Sequence, residues 1–145
     1  MFATFGDSIT WPCYHSDYRH TYITFTVGAL RKAYPKADIR IVHAGNMGTT
    51  GRGLANTRFD RYVLAHEPDI VFVMFGMNDC AAQQRGLDTY DRNLTKLINA
   101  TRAIGAVPII CTQNEIIYDS VDGRRRVALP VYMKRAKQVA RREKR

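Results

Sequence analysis

The chain has 145 residues, 46% apolar and 24% charged, with a formal net charge of +9, which suits one water-soluble globular domain large enough for a sheet covered by helices. No apolar run reaches the roughly 18 to 20 residues that span a bilayer, and the N-terminus lacks the basic flank and long apolar core of a signal peptide, so the chain as written reads as cytoplasmic. Cys13, Cys80 and Cys111 are odd in number, widely spaced and free of any C-x-x-C, which argues against a disulfide framework and against a zinc site.

In chain order, "MFATF" (residues 1–5) is a short strand of the buried type. Asp17 is placed to cap a helix from about Tyr18 to Tyr34 that stops before Pro35. "ADIRIVHA" (37–44) alternates and carries Ile39, Ile41 and Val42, the pattern of a second strand. Gly51 or Gly53 opens a helix through "LANTRFDRYVLAH", which ends before Pro68. "DIVFVMFG" (69–76) is apolar throughout and partly β-branched, as a central parallel strand should be. The next helix places Tyr90, Leu94, Leu97, Ile98, Thr101 and Ile104 on one face, with Gly105 as its stop. "VPIICT" (107–112) is a fourth strand, followed by a polar loop to about Leu129 and a basic amphipathic helix over about 129–143.

The charge is localised. Ten of the 22 Lys and Arg residues lie in 124–145 beside one acid, Glu143, so the first 123 residues are electrically balanced. In the last helix Leu129, Tyr132, Met133, Ala136, Val139 and Ala140 recur at helical spacing. One apolar face and one solvated basic face therefore account for the excess without a nucleic-acid partner.

Strands separated by helix-length segments imply right-handed crossovers and a parallel sheet covered on both faces. Such sheets bind ligands beyond the carboxyl ends of their strands, where the strand order reverses. "GDSIT" (6–10), "AGNMGTTG" (44–51) and "GMND" (76–79) leave the first three strands at that edge. Each alone is an ordinary turn composition. Together they supply what acyl transfer needs: Ser8 as an oxygen nucleophile, and the Ser8 N–H, the Gly48 N–H and the Asn78 side-chain amide as donors for a developing oxyanion.

With these blocks the sequence resembles the SGNH hydrolases, the GDSL-like lipases and esterases, over about residues 1–112. The resemblance implies a flavodoxin-like three-layer α/β/α sandwich, a nucleophilic Ser8, an oxyanion hole completed by Gly48 and Asn78, and a structural Asp7. It implies a small ester substrate, an acyl or acetyl ester that includes carbohydrate-linked ones, with no metal and no cofactor. The family's fourth signature, a D-x-x-H whose His is the general base, has no match: no His follows the fourth strand, where only Asp119 and Asp122 precede the basic helix. The expected sheet therefore has four strands and lacks a fifth. Among the four histidines, His66 falls at the amino edge and His43 supports the second block. His20 with Asp17 in "DYRH", or His15, is the relocated base the sequence offers. Without a base, hydrolysis is impaired, and the alternative is a binding or structural module on the same scaffold. The uncovered edge of "VPIICT" invites pairing with a second copy in a homodimer.

Overall fold

The computed structural model describes residues 1–12, 20–51, 58–116 and 123–144. Strands β1 (Phe2–Gly6), β2 (Ile41–Gly45), β3 (Ile70–Met74) and β4 (Val107–Ile110) form one sheet in the order β2-β1-β3-β4, every pairing parallel. The helices are α1 (Tyr22–Ala33), α2 (Arg58–Tyr62), α3 (Leu87–Ala103) and α4 (Gly123–Arg142).

Register explains the layers. Phe5 pairs with Ala44 on one side and Val73 on the other, so these side chains share a face with Ala3 and Val71. That face packs on Phe59 of α2, Leu94, Leu97 and Ile98 of α3 and Tyr132, Ala136 and Val139 of α4 in one buried cluster. On the opposite face Phe2 stacks on Phe72 with ring centroids 6.0 Å apart. Ile23 and Val27 of α1 are buried outside the main cluster, as a helix on the second face requires. The result is the expected three-layer α/β/α sandwich.

Several boundaries differ from the sequence reading. β2 starts at Ile41 because Ile41 is the partner of Phe2, the first residue of β1, and residues 37–40 have no strand beside them. α1 starts at Tyr22, where the Thr24 hydroxyl accepts the Thr21 N–H at 2.9 Å; the expected cap, Asp17, lies outside the described residues. The helix expected to run to His66 stops at Tyr62, and a 3-10 turn, Leu64–His66, follows. Ile104, expected on the buried face of α3, is 40% exposed, because α3 ends at Ala103 and Gly105 turns the chain away at φ +78°. The basic helix begins at Gly123 and not near Leu129, running through Pro130. Pro130 is exposed and costs one backbone hydrogen bond, while buried Leu129, Tyr132 and Met133 hold the helix on either side.

Part of the positive charge of α4 is matched inside the fold. Arg135 and Arg142 pair with Asp91 of α3 at 3.3 and 2.7 Å, and these guanidinium groups hold the Asp91 carboxyl below its usual range. No described helix is long and apolar enough to cross a membrane.

Candidate active site

The strand order reverses at β1: the chain moves outward to β2, then crosses to β3 on the other side. The segments leaving these three strands therefore open into the crevice where doubly wound sheets bind ligands.

Ser8 follows β1 by two residues and is half-buried in a turn that Asp7 holds. The Asp7 carbonyl accepts the Thr10 and Trp11 N–H groups, both at 3.1 Å. Its carboxylate accepts the Ile9 N–H at 3.0 Å through Oδ1 and the Gln113 Nε2–H at 2.7 Å through Oδ2. Asp7 is fully buried, and burial pushes its carboxyl up to about 6 while those hydrogen bonds pull it down. Asp7 is thus engaged by the turn and by the segment that leaves β4.

The second block is tied to the first by the Asn46 N–H, which donates to the Gly6 carbonyl at 3.0 Å. Gly48 is exposed with φ +66°, a left-handed conformation suited to glycine, and its N–H makes no hydrogen bond among the described residues. The third block is tied to the second twice. Asn78 Nδ2 donates to the Thr49 carbonyl at 2.9 Å, and the buried Asp79 carboxylate accepts the Gly51 N–H at 3.1 and 3.3 Å. Burial also pushes Asp79 up to about 6. An amide nitrogen carries two hydrogens, so Asn78 retains a second donor beyond the one that fixes its orientation. Gly76 holds φ +135°, and a Cβ there would lie 2.4 Å from Met133 Cε, so the turn into Asn78 is pressed against α4.

Two residues of this arrangement escaped the sequence reading. Gln113, three residues beyond β4, is buried, donates to Asp7 and receives support from α4, since its own N–H points at Met133 Sδ at 2.9 Å. Its signal was positional: a polar residue just past the last strand lies at the same edge as the three blocks. Met133 read only as a core residue of the amphipathic helix.

The histidines divide differently from a ready triad. His15 and Asp17 lie outside the described residues, as do Asp119 and Asp122. The exposed His20 stacks on Phe25 with ring centroids 5.6 Å apart. His66 precedes β3 and so lies at the amino edge, opposite Ser8. His43, on β2, is half-buried, and burial lowers its pKa. Among the described residues no group of three or more His, Cys, Asp or Glu side chains is gathered to hold a metal.

The family model for the GDSL-like Lipase/Acylhydrolase family matches residues 4–144. An acetylxylan esterase from Geobacillus stearothermophilus is 32% identical over 128 residues, covering 82% of this chain and 58% of that protein. This chain thus spans less than two thirds of that relative's length. Among solved structures, a catalytic mutant of an acetylxylan esterase from the same organism matches with a TM-score of 0.80 at 28% identity, over 97% of this chain and 71% of that one. An α/β hydrolase enzyme from the metagenome of Lake Arreo, Spain, matches with a TM-score of 0.76 at 26% identity, over 97% of this chain and 72% of that one.

Proposed function

The chain belongs to the GDSL-like lipase/acylhydrolase family, and from that premise we propose that it hydrolyses carboxylic esters through an acyl-enzyme formed on Ser8. Ser8 Oγ attacks the ester carbonyl, and the charge that develops on the carbonyl oxygen meets the N–H groups of Ser8 and Gly48 and the free Asn78 Nδ2 hydrogen. Collapse of the tetrahedral intermediate releases the alcohol, and water then cleaves the acyl-serine to return the acid. The observation that carries this reading is the hydrogen bonding of Asn46 to Gly6 and of Asn78 to Thr49, which joins the three blocks at one sheet edge.

The named relative acts on acetylxylan, and an acetyl ester borne by a carbohydrate is the substrate class proposed for this chain. Residues 113–145 contain no histidine, so the family's D-x-x-H has no counterpart there. Turnover by the 145-residue chain is therefore expected to be slow but still dependent on Ser8, because a serine hydroxyl without an adjacent base is a weak nucleophile. The test is hydrolysis of p-nitrophenyl acetate by the wild type beside Ser8→Ala. A rate that depends on Ser8 supports the reading, and equal rates refute it.

The outer edge of β4 offers a surface for a second copy of the chain. Val107 and Ile109 are 56% and 36% exposed there, and on its outer side β4 has no strand partner among the described residues.

A further inference from the structure

Beside the Ser8 turn lies a cavity of about 410 Å³ whose lining includes Trp11, His43, Asn46, Arg58 and Tyr62. It sits at the carboxyl end of β2, next to the second block. We infer that this cavity is a saccharide subsite that takes a neutral sugar ring carrying the ester, with the ring face against Trp11 and Tyr62 and its hydroxyls on His43, Asn46 and Arg58. The inference names the alcohol side of the ester and rests on the esterase reading for its place beside Ser8.

Three observations carry it. First, two large aromatic side chains stand exposed at one cavity, Trp11 at 39% and Tyr62 at 44%. Trp11 belongs to the nucleophile turn itself, fixed by its N–H to the Asp7 carbonyl at 3.1 Å. An exposed indole and phenol offer flat apolar faces with polar edges, and a pyranose offers the same combination in reverse, apolar C–H faces and a rim of hydroxyls. Second, His43 Nδ1 is buried and makes no hydrogen bond among the described residues. A buried ring nitrogen without a partner is uncommon in a folded protein and suits a ligand group that supplies the missing hydrogen bond. Burial lowers the pKa of this imidazole and so favours its neutral form, which presents one donor and one acceptor, the complement of a hydroxyl. Third, the lining selects against other ligands. Among the described lining residues Arg58 is the single cation and no carboxylate contributes, which suits neither a multiply charged phosphate nor a polyamine. Asn46, His43 and Arg58 would leave polar groups unpaired against a long acyl chain.

Trp11 is the only tryptophan of the chain, so its emission reports on this cavity alone. The experiment titrates full-length Ser8→Ala, which cannot turn over, with xylotriose while recording tryptophan fluorescence. A saturable change in emission is expected. Tyr62→Phe should retain it, and Tyr62→Ala and His43→Ala should each weaken binding roughly tenfold or more. Tyr62 is exposed, so its replacement leaves the core untouched. An emission that does not respond, responds without saturating, or is unchanged by both alanine variants overturns the subsite. p-Nitrophenyl acetate has no sugar, so its Ser8-dependent turnover tests the reaction separately. Sugar binding without that turnover refutes the esterase reading and leaves the subsite standing, and turnover without sugar binding does the reverse.

Discussion

Gln113 Nε2 donates to Asp7 Oδ2 at 2.7 Å across the carboxyl end of β3, the strand that separates β1 from β4. This bond braces the turn that carries Ser8 against the far side of the sheet. Asp7 is fully buried, so losing its donor leaves a desolvated carboxylate short of a partner. Gln113→Leu is expected to destabilise the fold by about 1–3 kcal/mol at pH 7.5. The loss should be smaller at pH 4.5, where Asp7 is protonated because its carboxyl titrates near 6. Urea unfolding at the two pH values checks this, and an equal loss at both would show that the bond to the charged form is not what Gln113 contributes.

The Asp7 and Asp79 carboxyls are both raised by burial to about 6, and the charge of Asp7 raises Asp79 further. Gly51 N–H and Gln113 Nε2 face them as donors, while Tyr22, Tyr90, Tyr132, Cys80 and Cys111 are titratable groups around them among the described residues, all raised by burial and neutral in this range. A carboxyl raised in the folded state contributes stability below its unfolded value near 4 and loses it as pH rises through the folded value near 6. Asp79→Asn removes one of the pair. Its stability relative to wild type should therefore improve by on the order of a few kcal/mol between pH 4 and pH 7. A difference that stays flat across this window would contradict the assignment.

Gly76 joins a left-handed φ of +135° to a close approach by Met133. Gly76→Ala is expected to cost about 2–4 kcal/mol through strain and overlap together. In a Met133→Ala background, which carries its own cavity cost, Gly76→Ala should cost less, because the overlap is gone and only the backbone strain stays. Thermal melts of both single variants and the double variant separate the two; no cost of Gly76→Ala in the Met133→Ala background would mean that φ carries no cost.

Much of this could be read from the chain itself. The three blocks and the strands behind them were legible because apolar runs, Gly turns and chemistry-bearing residues fall at fixed places in sequence. α3 was legible from Tyr90 to Thr101 because one helix face meets one core. The start of α4 was hidden because Pro130 reads as a helix opening, although tertiary packing of Leu129 and Tyr132 carries the helix through it. Gln113 was hidden for a different reason. Its partner Asp7 is distant in sequence, and a single polar residue after a strand has no periodicity to betray it. The saccharide cavity was likewise unreadable, since Trp11 and Tyr62 meet only through the fold.

Asn78 is proposed to donate to the oxyanion. Removing one such donor in serine enzymes costs about 10²–10³ in kcat. Asn78→Ala should lower kcat for p-nitrophenyl acetate by that order with KM little changed. Because Asn78 also fixes Thr49, a melting curve accompanies the kinetics. A fall in KM-controlled binding with kcat intact would place Asn78 in substrate binding instead.

The β4 edge predicts self-association. Sedimentation equilibrium of the wild type should give a dimer mass, and Ile109→Lys, which places a charge on the exposed edge strand, should return the monomer. A monomeric wild type removes the second copy from the account.

The most direct measurement is covalent capture of the nucleophile. Diethyl p-nitrophenyl phosphate, in excess and over a long incubation suited to a slow nucleophile, transfers its diethylphosphoryl group to the serine oxygen, releases p-nitrophenol and leaves a stable ester that peptide mass spectrometry locates. The account predicts one adduct on Ser8, absent from Ser8→Ala and from the urea-unfolded chain. No adduct, or labels scattered over other hydroxyl residues, would contradict the claim that the three blocks build a working nucleophile site around Ser8.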